Sequence, residues 1–309
     1  MNSLPLLVCR KLLWIALLLL LVFTGSFFLM RLAPGGPFDS ERNLPPAIQE
    51  SIEKKFQLDQ PLYRQYTSYL SDVFLRFDFR PSFSYQDVSV NQIIAETFPR
   101  SAALGGLALL LAILLGIPAG VLAAAKHGRA TDLLLSMTFA LGLAIPNFVL
   151  ATLLVLLFCF LLPLFPVAGF SSLSHLVLPA LALSAPVAAG IARLTRASVL
   201  ESLASPFVRT ARAKGLSPRA VLGRHALRAG LVPIVTYLGP ASAAILTGSL
   251  VVEKIFAIPG MGSFFVSSVM NRDYTLATGV LLLYFALVAS LNALVEISLH
   301  LLDPRVQAE

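Results

Sequence analysis

RLTRASVLESLASPFVRTARAKGLSPRAVLGRHALRAGLVP, residues 193–233, is the longest interval after Pro99 that cannot lie in lipid, and its place between apolar runs decides the fold. Arg193, Arg196, Arg209, Arg212, Lys214, Arg219, Arg224 and Arg228 crowd it with positive charge against the single acid Glu201. Ser205 can cap a helix, and Pro206 suits a first turn, where its missing N–H is not needed. Gly215 is a natural stop, because it turns left-handed just past a last helical residue. These signals predict a short helix from Ser205 to Lys214. Ser217 and Pro218 repeat the start signal, so a second helix runs through Val221, Leu222 and Leu227 towards the membrane. In the first helix Phe207 and Ala211, four apart, are expected to share an apolar face while Arg209 and Arg212 project elsewhere. That is the form of a helix that docks on a partner. The basic content equally suits a positive-inside loop on anionic lipid head groups, and the residues alone leave both open. Nucleic acid is not an expected partner, since the charge has no aromatic interleaving.

The 309 residues are 57% hydrophobic and only 13% charged, with a mean hydropathy of +0.82. This is the composition of an integral membrane protein. The net charge of +7 is spread by topology rather than gathered for an acidic substrate. Cys9 and Cys159 fall near opposite ends of the first and third spans, which argues against a disulfide. His127, His175, His225 and His300 lack ligand spacing, so no metal site is expected.

Six spans are predicted, with both termini cytoplasmic. Arg10 and Lys11 precede the first, Leu12 to Met30, which is too long for a signal-peptide core and is followed by no A-x-A cleavage site. From Arg31 to Pro99 the chain turns polar, and Ile48, Ile52 and Phe56, then Leu62, Tyr66, Leu70 and Phe74, recur every four residues. Two short amphipathic helices are expected there, on the extracytoplasmic side. The piece DFRPSFSYQDVSV, Asp78 to Val90, reads as an ordered loop. Span two covers Ser101 to Ala125 and carries a Gly116-x-x-x-Gly120 pair that permits close helix approach. Span three covers Leu133 to Leu162 with a kink at Pro146, span four Leu176 to Ala192, span five Pro233 to Val252, and span six Leu276 to His300. The resulting organisation is 1–30, an extracytoplasmic segment 31–99, a five-helix core 100–300 with the cytoplasmic loop 193–232, and a tail 301–309. The inner segments hold thirteen Lys or Arg and four acids, the outer ones ten and eleven, which sets the orientation.

Catalytic chemistry is absent by type. A P-loop needs G-x-x-x-x-G-K-[ST], because its amides cradle phosphate and its hydroxyl holds magnesium. No Lys here is followed by Ser or Thr. If nucleotide drives this protein, another subunit binds it. Glu296 is the one acid well inside an apolar span. A proton relay is one reading; near the inner end, a carboxylate that reaches a polar neighbour is the stronger one. A stand-alone channel or secondary carrier would call for ionisable groups nearer the midplane or an inverted repeat, and neither is seen.

FFLMRLAPGGPF after span one, ERNLPPAIQESIEKKFQLDQP beyond it, SVNQIIAETFPRSA before span two, FVRTARAKGLSPRAVLGRHAL in the loop, TGSLVVEKIFAIPGMG after span five, NRDY and LLDPR together resemble an ABC-importer permease. Within that family the chain is similar, nearly end to end, to the first permease subunit of bacterial oligopeptide importers, in the peptide and nickel branch. The resemblance implies an all-α membrane protein with the six-helix ABC type I importer permease fold, in the bacterial inner membrane. It also implies a homologous second permease, two ABC ATPase subunits that bind ATP and magnesium, and an extracytoplasmic peptide-binding protein. This chain would hold no cofactor or metal and would be no enzyme. Ser205, Pro206, Phe207, Arg209, Thr210, Ala211, Lys214 and Gly215 would couple it to an ATPase. Three departures stand out. The family loop signature EAA-x-x-x-G falls on Arg209, Thr210 and Ala211 before Gly215, without its glutamate, Pro233 lies farther from Gly215 than the signature expects, and Arg80 stands where these proteins carry glycine after Asp-Phe. Dipeptides, nickel chelates and glutathione remain alternative substrates.

Overall fold

The computed structural model describes residues 4–32, 54 and 56–302. Its elements are α1 (Leu4–Leu32), α2 (Leu62–Leu75), α3 (Val90–Ala125), α4 (Ala130–Ala144) and α5 (Asn147–Val155), the last continuing as a π-helical turn, Leu156–Leu161. After α6 (Ser174–Ala204) and α7 (Pro206–Ala213), one turn, Pro218–Ala220, and a π-helical stretch, Val221–Leu227, lead into α8 (Arg228–Ile255), α9 (Met261–Met270) and α10 (Tyr274–Leu302). Among the described residues, five helices are long and apolar enough to cross a membrane, or six if the bent pair α4 and α5 counts as one span.

Proline decides where these helices break. The residue before a proline is pushed out of the helical region, and Ile145 (ψ 121°), Ser205 (ψ 153°) and Ser217 (ψ 151°) are all extended. At Ile145–Pro146 the expected kink is therefore a full break, with α4 and α5 bent by 102°. By contrast Pro179, Pro186, Pro233 and Pro240 lie inside helices. Three expected boundaries are corrected, the last two because a proline is accommodated within the helix. The fourth span runs on through Arg193 to Ala204, α3 begins at Val90 and passes through Pro99, and the fifth span begins before Pro233. Helix α9 lies between the expected fifth and sixth spans. The expected helix over Ile48 and Ile52 lies outside the described residues.

The chain forms two compact units. One comprises the described parts of Met1–Lys11, Arg100–Pro259 and Val288–Glu309. Here α6 is central, packed against α4, α5 and α8. Glycine sets the approach of α3. A Cβ on Gly116 would lie 2.8 Å from the Ala188 carbonyl oxygen, and one on Gly120 would run into the Ala192 carbonyl and Thr195. Asp132, at the start of α4, is buried and accepts a bidentate pair from Arg196 of α6, Nε to Oδ1 at 2.6 Å and Nη2 to Oδ2 at 2.9 Å. The Gly128 amide donates to the same Oδ2 at 3.0 Å, so one carboxylate ties the α3–α4 turn to α6. Glu296 pairs with Lys11, which gives that carboxylate a cationic neighbour near the helix end.

The other unit comprises Leu12–Pro99, where described, and Gly260–Leu287. Helix α2 forms as the four-residue spacing predicts, but its buried line is Gln65, Tyr69 and Val73, with Tyr66, Leu70 and Phe74 packed beside it and Leu62 exposed. The loop 78–89 is ordered around Asp273, which is fully buried. Its Oδ2 accepts from Ser82 Oγ and from the Phe83 and Ser84 amides, and its Oδ1 from Thr275 Oγ1 and the Leu276 amide. Arg80 has φ +69°, a left-handed backbone that explains a preference for glycine there, and its side chain is held by Asp72 and Ser68.

Gly120→Val forces branched bulk against a backbone carbonyl and is expected to cost roughly 3 kcal/mol or more, since overpacking at a fixed contact cannot relax. Gly106→Ala, on the same helix with nothing within 4 Å, serves as the control. Thermal unfolding in detergent should show a large drop for the first and none for the second.

Candidate functional site

Helix α7 stands between two X-Pro starts. Pro206 occupies its first position after the extended Ser205. The Ser205 hydroxyl does not cap an amide as expected; it donates to the Ser202 carbonyl at 2.5 Å, closing the end of α6 instead. Ser217 does cap, accepting from the Ala220 amide at 3.3 Å. At the other end Gly215 has φ +81°, its amide donates to the Arg212 carbonyl at 2.9 Å, and the Leu216 amide donates to Ala211 at 3.3 Å. These two bonds form a Schellman motif, which satisfies the carbonyls that a helix end leaves open.

Burial corrects the expected face of α7. Val208 and Ala211, three residues apart, are buried with Val221 and packed by Leu203 and Leu216. Ala211 is thus taken up by the chain's own core, and Phe207 is not its partner: the ring is 48% exposed. Sequence reading missed Val208, although the 208, 211 spacing is as helical as 207, 211. Arg209, Thr210, Arg212 and Lys214 are exposed, with the Thr210 hydroxyl donating to the Pro206 carbonyl at 3.1 Å. Phe207, Thr210 and Lys214 follow the spacing of one flank. Beside the opposite flank, Arg212 and Arg219 border an open recess of about 490 Å³ walled by Leu203, Leu216, Val221 and Leu222.

The arrangement brings together all eight residues singled out in the sequence, in roles that differ. Ser205, Pro206 and Gly215 set the ends; Ala211 clamps; Phe207, Arg209, Thr210 and Lys214 are presented outward. Such a helix carries no nucleophile or acid–base pair. What it can do is transmit displacement, because its inner face is fixed to the end of α6 and to the stretch leading into α8.

The comparisons agree with this class of protein. Residues 116–308 match the family of binding-protein-dependent transport system inner membrane components. The oligopeptide transport system permease protein OppB of Haemophilus influenzae is 45% identical over 291 residues, covering 94% of this chain and 95% of that protein. OppB of Escherichia coli K12 is 44% identical over the same shares. The dipeptide transport system permease protein DppB of Bacillus subtilis is 44% identical over 289 residues, 94% of each chain. Among solved structures, a chain of the inward-facing MetNI methionine ABC transporter superposes with a TM-score of 0.58 at 17% identity, over 68% of this chain and 96% of that one. The chain belongs to the family of binding-protein-dependent transport system inner membrane components, the multi-pass permeases of ABC importers.

Val208→Asp buries an unpaired carboxylate and is expected to destabilise the protein by roughly 3 kcal/mol or more. Phe207→Asp, on the exposed flank, should stay within about 0.5 kcal/mol of wild type. Thermal unfolding of the two variants separates the clamped face from the free one, and equal loss would contradict the assignment.

Proposed function

We propose that this chain is the translocation subunit of an ATP-driven oligopeptide importer, working with a homologous second permease, two ABC ATPase subunits and an extracytoplasmic peptide-binding protein. The observation that carries the reading is likeness to oligopeptide permeases over 94% of the chain, with the loop that builds α7 inside the region that matches the family. In this reading the termini and the 205–215 helix are cytoplasmic, in keeping with the basic loop. ATP and magnesium reside on the partner ATPases, whose closure pushes the free flank of α7, and the displacement passes through Val208 and Ala211 to α6 and α8. Peptide enters from the binding protein on the opposite side. Anionic lipid contacts the remaining arginines of the loop. A second reading, dipeptide import, is favoured by the 44% identity to the dipeptide permease of Bacillus subtilis.

The test is reconstitution. Proteoliposomes holding the four membrane and ATPase subunits, with binding protein added, should accumulate labelled peptides only with ATP, and a series from dipeptide to pentapeptide separates the two readings. The isolated chain should hydrolyse no ATP. Phe207→Asp, although folded, should reduce uptake by about tenfold or more, as expected when a charge enters an apolar docking contact. Uptake without ATP, or none of any peptide, would contradict the proposal.

A further inference from the structure

Arg31 lies at the end of α1, packed over an aromatic ring and hydrogen-bonded to neutral acceptors. Its guanidinium carbon lies 3.6 Å over the Phe27 ring centroid and 5.5 Å from that of Tyr274. Nε and Nη2 donate to Gln65 Oε1 at 3.3 and 3.1 Å, and Nη1 to the Phe27 carbonyl at 3.3 Å. The orientation of that amide is fixed from behind, because Gln65 Nε2 donates to the Leu58 and Gln60 carbonyls at 3.1 and 2.7 Å. Every acceptor that Arg31 meets is therefore neutral, and among the described residues no carboxylate lies within ion-pair distance of it. Its neighbour Arg80 differs, being paired with Asp72 at 2.7 Å and bonded to Ser68.

Both arginines and Asp72 line a half-open recess of about 210 Å³ whose other walls include Phe83, Tyr69 and Tyr274. Burial pushes the Tyr69 phenol well above its ordinary range, so it stays neutral. Counting the described residues, the recess therefore carries one more positive than negative charge between aromatic walls, and its volume suits one residue rather than a whole peptide.

We propose that this recess binds the carboxy-terminal residue of a peptide, with the carboxylate on Arg31 and the side chain against the aromatic walls. The proposal rests on the reading of the chain as a peptide permease. It gives that reading a contact common to every linear peptide, because a terminal carboxylate is present whatever the side chains, and planar guanidinium groups favour two-point carboxylate pairing.

The test uses the assembled importer in nanodiscs, without added binding protein, and a labelled tripeptide as its free acid and its carboxy-terminal amide. The acid should bind about tenfold or more tightly than the amide, the factor expected for a charge-assisted contact. Arg31→Gln should bring the acid to the level of the amide, Arg31→Lys should keep most of the difference, and Arg64→Gln, on the exposed face of α2, should change nothing. Equal binding of acid and amide by wild type overturns the site even if Arg31→Gln fails to fold. Undiminished acid binding by a folded Arg31→Gln overturns it as well. So does a variant that binds peptide normally but loses affinity for the binding protein, since the carboxylate would then belong to that partner. Peptide uptake that ignores the terminal group removes the site and leaves the transport reading, whereas absence of any peptide uptake removes the transport reading itself.

Discussion

The close approach of α3 to α6 is the constraint on which the first unit depends. Two glycines one turn apart let the α6 backbone come within contact of α3, and no side chain substitutes at Gly120 without striking the Ala192 carbonyl. In lipid this matters more than in water, because helices there gain nothing from hiding apolar surface and must be held by tight packing and polar contacts. The second kind of hold is also present. Asp132 and Arg196 join α4 to α6 by a bidentate pair, and Gly190 of α6 leaves room for the Tyr237 hydroxyl of α8, which would lie 2.5 Å from a Cβ there. Three helices are thus packed closely on α6, and the chain beyond its end is anchored to a well-held element.

Helix α7 is so fixed. The break at Ser205–Pro206 redirects the chain, and the burial of Val208 and Ala211 against Leu203 and Val221 prevents α7 from swinging as a free loop. The Schellman bonds at Gly215 then turn the chain back towards α8 without leaving open carbonyls. A short helix in isolation is marginal, because nucleation is unfavourable; this one is maintained by its clamp. Rigidity and exposure are thus divided between two sides of one element, the inner side apolar and closed, the outer side carrying Phe207 and the basic residues.

Much of this was legible in the sequence where one residue type has a strong local consequence. Apolar runs gave the spans, Pro206 the start of α7, Gly215 its left-handed end, and the Gly116-x-x-x-Gly120 pair the close helix approach. Arg80 holds a positive φ that glycine adopts most readily. What was hidden depends on tertiary context. Periodicity allowed both Phe207 and Val208 to pair with Ala211, and only the position of Val221 chooses between them. Proline breaks a helix at Pro146 and is accommodated at Pro186 and Pro233, a difference that local sequence does not show. The roles of Asp273 and Arg31 were invisible because their partners lie far away in the chain: Ser82 for the one, Gln65 for the other.

The clamp at Val208, Ala211 and Val221 requires α7 and the stretch leading into α8 to move as one body. It is tested most directly by replacing Val208 and Val221 with cysteine in a background lacking Cys9 and Cys159, linking the pair with a short bifunctional reagent, and measuring ATP-driven peptide uptake before and after linking. A rigid clamp predicts that uptake is unchanged by the link. Loss of uptake on linking, restored when the link is cleaved, would show that the two segments must separate in each cycle and would contradict the account.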